Sequence, residues 1–194
     1  DLELVQGSPP IRRRYMDILI SQLDQDYLRL LQRYQKVLAQ RNHLLKTIRE
    51  GKAQFQELDF WDDEIVESGK KITAKRAETV QNLSKFSELI HVELAGDSQK
   101  LEIEYLPSID MIDEGSQDTL DKSFRNSLAL NRTSDVSHGF TTRGPHRDDL
   151  RILLNNMNTR MFSSRGQCRT AVLAMKLAEA QYLKCHRGEE PILL

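Results

Sequence analysis

Phe162-Ser163-Ser164-Arg165-Gly166-Gln167-Cys168-Arg169, followed by Thr170-Ala171-Val172-Leu173-Ala174-Met175-Lys176-Leu177-Ala178-Glu179, carries a Ser/Arg/Gly turn straight into a helical pattern. Val172, Leu173, Met175, Leu177 and Ala178 supply the apolar positions of a helix expected from about Arg165 to Lys184, closed by His186-Arg187-Gly188. A helix start exposes unpaired N–H groups and the positive end of the macrodipole. Ser164 is placed to cap it, and Gly166 leaves the backbone open to an anion. Such a turn suits a phosphate. Capping alone is the commoner reason for Ser and Gly at a helix start.

Two further stretches set the context. Gly144-Pro145-His146-Arg147-Asp148-Asp149-Leu150 precedes the turn. Gly7-Ser8-Pro9, Arg12-Arg13-Arg14-Tyr15 and Gln40-Arg41-Asn42 with Leu44-Leu45-Lys46 lie near the start. Together, and in this order, they resemble the RecF family, bacterial DNA-repair proteins of the SMC/Rad50-like group of ABC-type ATPases. The signature pattern of that family is close to Ser-x-Gly-Gln-Gln-Arg-Thr. Here it reads Ser164-Arg165-Gly166-Gln167-Cys168-Arg169-Thr170, with Cys168 in place of the commoner Gln.

The resemblance implies an α/β fold: a partial ABC-type ATPase head, a mixed sheet plus the signature helix, carrying an antiparallel helical-hairpin arm. Residues 1–95 are expected to form the arm and residues 96–194 the head portion. The resemblance also implies that Ser164, Gly166, Gln167 and Arg169 meet the γ-phosphate of an ATP held by a second subunit, with Mg2+ in the full-length protein. A weak ATPase, an ATP-dependent homodimer on DNA gaps and junctions, and RecR-like and RecO-like partner proteins follow from the family, as does a role in recombinational repair and replication restart. No Gly-x4-Gly-Lys-Ser/Thr occurs in these 194 residues. The family's phosphate cradle and its magnesium-handling carboxylates lie before and just after this region, so the piece alone is expected to be inactive. The ends, Asp1-Leu2-Glu3 and Pro191-Ile192-Leu193-Leu194, read as cuts in a longer protein, with Ile192 opening a buried strand.

Composition bounds these expectations. The formal net charge of −1 supplies no global basic field, so any DNA contact must be local. Arg12-Arg13-Arg14 and the strip Lys70, Lys71, Lys75 and Arg76 are the candidates; Lys71 and Lys75 share a helix face, although solvated helix charge explains such strips more often. No apolar run approaches the roughly 20 residues that cross a membrane. Cys168 and Cys185, about 25 Å apart on one helix at 1.5 Å per residue, are expected to be free thiols, which fits a reducing cytoplasm. Hydrophobic content of 39% with 6% aromatic suits an extended helical part.

In chain order, Leu2 to Val5 reads as a short strand. Ser8 then caps a helix opened by Pro9. Met16, Ile20, Leu23, Tyr27, Leu30, Tyr34, Val37, Arg41, Leu44 and Ile48 follow alternating steps of four and three, and Arg41 is the one polar position. A helix of roughly forty residues is predicted, about 60 Å long, with a break between Gln22 and Gln25. A return helix from near Trp61 has the seam Ile65, Gly69, Ile72, Arg76, Thr79, Leu83, Phe86, Ile90, with a poor middle. Leu101–Tyr105 alternates as a strand. Asp113–Ser116 reads as a loop, Thr119–Leu130 as a helix and Arg132–Ser137 as a loop. A hairpin is expected from Leu150–Leu154, a turn at Asn155-Asn156 and Thr159–Phe162. The block Gly144–Asp149 lacks metal-ligand spacing and reads as a structural turn with Arg147 salt-bridged. A coiled-coil interaction module without a nucleotide role is the rival reading. A general SMC or Rad50 head is disfavoured by an arm of only about eighty residues.

Overall fold

A computed structural model describes residues 2–96, 99–110 and 117–188. The expected loop at Asp113–Ser116 and the strand opening at Ile192 lie outside the described residues. The chain packs as two units, one of residues 1–25, 75–106 and 149–194, the other of residues 26–74 and 107–148. This division differs from a boundary at 95/96, because each unit is assembled from segments distant in sequence.

The first unit is built on a small antiparallel sheet in the order β1 (Leu101–Leu106), β2 (Asp149–Leu154), β3 (Met157–Asn158). Period-two alternation places Leu101, Ile103 and Tyr105 opposite Leu154, Ile152 and Leu150. The alternate residues face the other way, where Arg151 Nε meets Glu104 at 2.8 Å. Asn155 and Asn156 turn the hairpin at φ 52° and 62°, a conformation Asn tolerates. The apolar face of the sheet joins Met16 and Leu19 of α2 (Pro9–Leu23), Val80 and Leu83 of α4 (Leu58–Ala95), and Ala171, Val172, Ala174, Met175, Ala178 and Tyr182 of α7 (Arg165–Arg187). Three of those α7 positions are Ala, which brings the helix backbone close to its neighbours. Leu173 faces outward, 48% exposed, contrary to its place in the expected stripe.

Two expectations here are corrected. Leu2–Val5 is not a strand. Residues Glu3–Gln6 form a short helix, α1, which turns the consecutive Leu4 and Val5 into one core, whereas a strand would send them to opposite faces. Thr159–Phe162 is also helical (α6): the Asn158 side chain accepts the Arg160 N–H at 3.0 Å and starts a turn, so β3 ends after two residues.

The expected forty-residue helix is two, α2 and α3 (Gln25–Arg49), interrupted at Asp24, which is extended at φ −138°, ψ 102°. In the second unit α3, the first half of α4 and α5 (Gln117–His138) lie side by side. As partners on α4 fall from Lys70 to Asp59, those on α5 rise from Asp121 to Arg132, so these two run antiparallel. The expected two-helix hairpin thus has a third member. Residues 132–137, expected as a loop, belong to α5. Arg132 bonds Asp59 at 2.6 Å and Asp62 at 2.7 Å, and Asp135 is fully buried, so tertiary ion pairs hold a polar sequence helical.

The third helix also explains the weak middle of the α4 seam. A Cβ on Gly69 would lie 2.6 Å from Phe124 Cζ: the phenyl ring of α5 fills the space a side chain would take. Gly69→Ala is expected to lower stability by about 2 kcal/mol through overpacking. Phe124→Leu in the same chain should recover part of that loss in urea titrations; an alanine variant as stable as the parent would refute the close approach.

Candidate functional site

Ser164, at φ −66° and ψ 161°, is the N-cap of the 23-residue helix α7. Its Oγ accepts the Gln167 N–H at 3.2 Å, and its own N–H donates to Gln167 Oε1 at 2.8 Å. This reciprocal box fixes the turn. Because Oγ serves as acceptor inside the box, the Ser164 hydroxyl hydrogen is left to donate outward. Gln167 is half-buried and spends its carbonyl on the box, leaving its NH2. Gly166 is exposed, and an added Cβ would find nothing nearer than Ser164 Oγ at 3.8 Å, so an approaching group meets bare backbone. Arg165 and Arg169 are exposed at i, i+4 and form no ion pair among the described residues. Cys168 turns the other way. It is fully buried, its Sγ accepting from Gln6 Nε2 at 3.8 Å, so the departure from the family's Gln falls on the core face. Both cysteines are free.

Beside α6 a cavity of about 280 Å³ is lined by Val5, Arg12, Asp149, Leu150, Ile152 and Arg160, among others. Arg12, expected in a basic cluster, is buried there. Its Nε and Nη2 bond the Asp149 carboxylate at 2.7 and 2.9 Å and its Nη1 the Gly7 carbonyl at 2.7 Å.

In the preceding block, Pro145–Arg147 form a single 3-10 turn. Arg147 is not salt-bridged as expected: among the described residues its guanidinium lies over the Phe140 ring, 4.9 Å from the centroid. The carboxylates are committed structurally, Asp148 accepting the Ser108 N–H at 2.8 Å and Asp149 pairing with Arg12. His146 Nδ1 lies 2.7 Å from Tyr34 Oη and Nε2 2.9 Å from the Thr141 carbonyl. No group of His, Cys, Asp or Glu among the described residues is arranged to hold a metal.

The basic strip on α4 is not a row of free cations. Lys70 Nζ bonds Asp121 at 2.7 Å and Glu67 at 2.8 Å, and Lys71 bonds Glu67 at 2.6 Å. Hydrogen bonds from Lys70 and Lys71 hold the Glu67 carboxyl down at about 2. The hydrogen bonds that Lys70 donates to Asp121 and Glu67 raise the pKa of its own ammonium. Arg76 is 2% exposed and bonds Asp17 through Nε at 3.1 Å and Nη2 at 2.9 Å, so it does not belong to an exposed strip. Lys71 and Lys75 stay accessible, Lys75 with Glu78 at 3.4 Å.

The residue that sequence reasoning passed over is Arg41. It is fully buried, with Nε 2.6 Å from Asp62 and Nη1 2.8 Å from both Asp135 and Thr141. Its signal was present as the single polar member of an apolar heptad.

The capped helix with its open glycine, the antiparallel sheet beneath it and the helical unit define a segment of an ABC-type ATPase head carrying a helical arm. No family model matches the chain. It is 38% identical over 196 residues to the DNA replication and repair protein RecF of Halothermothrix orenii and 41% identical over 199 residues to that of Natranaerobius thermophilus, in each case over 100% of this chain and 52% of the relative. It superposes on a solved structure of the recombination mediator protein RecF-ATP in RecFOR pathway with a TM-score of 0.94 at 34% identity, over 99% of this chain and 51% of the other. The RecF-ATPrS structure gives 0.93 over 98% and 51%. All 194 residues of the chain match RecF proteins, and the chain spans about half the length of those relatives.

Proposed function

We propose that this chain is the signature-bearing portion of a RecF-like, ATP-dependent DNA-binding protein of recombinational repair and replication restart. ATP, with Mg2+, would join two copies on DNA, and weak hydrolysis would release them. RecR-like and RecO-like proteins are the proposed partners, and the cytoplasm the proposed location. Among the described residues no helix is long and apolar enough to cross a membrane.

The observation that carries this reading is the Ser164 geometry: a hydroxyl with its hydrogen free, beside open backbone at Gly166 and the cations Arg165 and Arg169. These groups would bind and orient the terminal phosphate of a nucleotide held by another copy. Gln167 would hold Ser164 in place through the box and offer its NH2. Arg169 would add charge. For DNA, Lys71 and Lys75 remain the accessible members of the strip; Arg76 is withdrawn from it by Asp17.

Sedimentation of the complete protein with and without ATP tests the reading. Ser164→Arg removes the hydroxyl. Ser164→Asp keeps a good N-cap but sets a carboxylate against the phosphate. Both are expected to weaken ATP-driven dimerisation at least a hundredfold, about 2.7 kcal/mol or more, while the fold persists. Dimerisation at wild-type ATP concentrations by both variants would favour the coiled-coil module and end the nucleotide reading.

A further inference from the structure

The cavity beside α6 stands outside the nucleotide reading, since none of Ser164, Gly166, Gln167 and Arg169 lines it. Its walls are aliphatic: Val5, Leu150 and Ile152 are buried and Leu106 half-buried. Its volume, about 280 Å³, sits at the lower end of small-ligand sites. It opens beside an edge of β2. The short β3 pairs only with Leu153 and Leu154, so residues 149–152 have no strand partner on that side among the described residues. That edge is partly closed by side chains. Asp149 Oδ1 accepts the Leu150 N–H at 2.8 Å, and the Thr159 hydroxyl donates to the Ile152 carbonyl at 2.9 Å. An added strand would compete for these groups. A body the size of a side chain fits the space better.

The charges lining the cavity do not balance. Arg12 is matched by Asp149 through two bonds, and Arg151 by Glu104. Arg160 is exposed, and its guanidinium makes no hydrogen bond or ion pair among the described residues. Asn158 spends its Oδ1 on the Arg160 N–H at 3.0 Å, which leaves its NH2 to donate. Both side chains line the cavity. One unmatched cation and one free amide donor beside aliphatic walls complement a single carboxylate, with its two acceptor oxygens, joined to a hydrocarbon body. A nucleic-acid phosphate carries no such body and would leave the walls unfilled. We infer that this cavity binds an aliphatic group bearing a carboxylate, the hydrocarbon against Val5, Leu106, Leu150 and Ile152 and the carboxylate at Arg160 and Asn158. An apolar C-terminal residue of a polypeptide presents this chemistry, and so does a free branched-chain acid.

The test is calorimetric titration of the complete protein with three probes: the peptide Gly-Ser-Gly-Ser-Leu with a free C-terminal carboxylate, the same peptide as its C-terminal amide, and 4-methylpentanoate. At least one of the two carboxylates is expected to bind, and the amide to bind at least tenfold more weakly than the free peptide or not at all. A peptide tighter than 4-methylpentanoate assigns the site to a polypeptide C-terminus, and the reverse order assigns it to a free acid. Arg160→Gln removes the unmatched cation. Asn158→Asp keeps the N-cap of α6 but replaces the free donor by a carboxylate. Each is expected to weaken the bound carboxylate at least tenfold, with the helical circular dichroism unchanged. No binding by either carboxylate would overturn the inference, as would an amide as tight as the acid, or parental affinity in both variants. Displacement of the carboxylate by a gapped duplex would also overturn it, and would make the cavity part of a nucleic-acid surface.

Discussion

Arg41→Ala is expected to cost about 4 kcal/mol of stability, the range for breaking a buried ion pair by removing one partner. Arg41 is fully buried and its Nε and Nη1 are shared among Asp62, Asp135 and Thr141, contributed by α4, α5 and the segment after α5. Without it Asp62 keeps Arg132, at 2.7 Å, but Asp135 keeps only the Thr142 N–H and hydroxyl, at 2.9 and 2.6 Å. A buried carboxylate is then left with neutral donors and no cation. Arg41→Lys should also fail in large part, since one ammonium cannot reproduce a planar fork between two acids. Arg41→Met together with Asp135→Asn removes the opposed charges as a pair, and is expected to be more stable than Arg41→Met alone by at least about 1 kcal/mol. Urea titrations of the helical circular dichroism check all of these. A loss below about 1 kcal/mol for Arg41→Ala would show that the network is incidental to folding.

Gly144→Ala is expected to cost about 3 kcal/mol, for two separable reasons. Gly144 sits at φ 128°, a conformation that costs a residue with a Cβ on the order of 1–3 kcal/mol. The new Cβ would also lie 2.5 Å from Tyr34 Oη, the hydroxyl that meets His146. Gly144 cannot swing away freely: its N–H donates to Ser108 Oγ at 2.8 Å, and its carbonyl accepts from the same hydroxyl at 2.8 Å. Tyr34→Phe in the alanine background should relieve the clash but not the strain, restoring about 1 kcal/mol. Full tolerance of alanine at this position would mean that the turn relaxes by a route these bonds do not anticipate.

The Arg41 and Gly69 predictions concern residues whose importance the sequence displayed without explaining. Arg41 interrupted an apolar heptad, and Gly69 and Arg76 weakened the α4 seam. As a two-helix pattern these positions look like defects. Each is buried because something distant in sequence reaches it: Asp62 and Asp135 for Arg41, Phe124 for Gly69, Asp17 for Arg76. The same reach turned residues 132–137 from an expected loop into helix, and removed Arg12 and Arg76 from the candidate basic surface.

What the sequence alone determined is what short-range chemistry controls. Period-two alternation placed β1, and two asparagines placed the hairpin turn. The Ser–Gln spacing started α7 where it was expected, with Ser164 and Gly166 exposed. Heptad spacing marked α3, and the break at Asp24 fell inside the expected window. These features depend on neighbours within a few residues, so a linear pattern records them. Only the tertiary structure decided which polar groups are buried and paired, because a charge a hundred positions away leaves no mark on local periodicity. It also decided that α5 completes a three-helix unit, and that Phe60 stays in solvent while Leu58 and Ile65 of the same helix are buried.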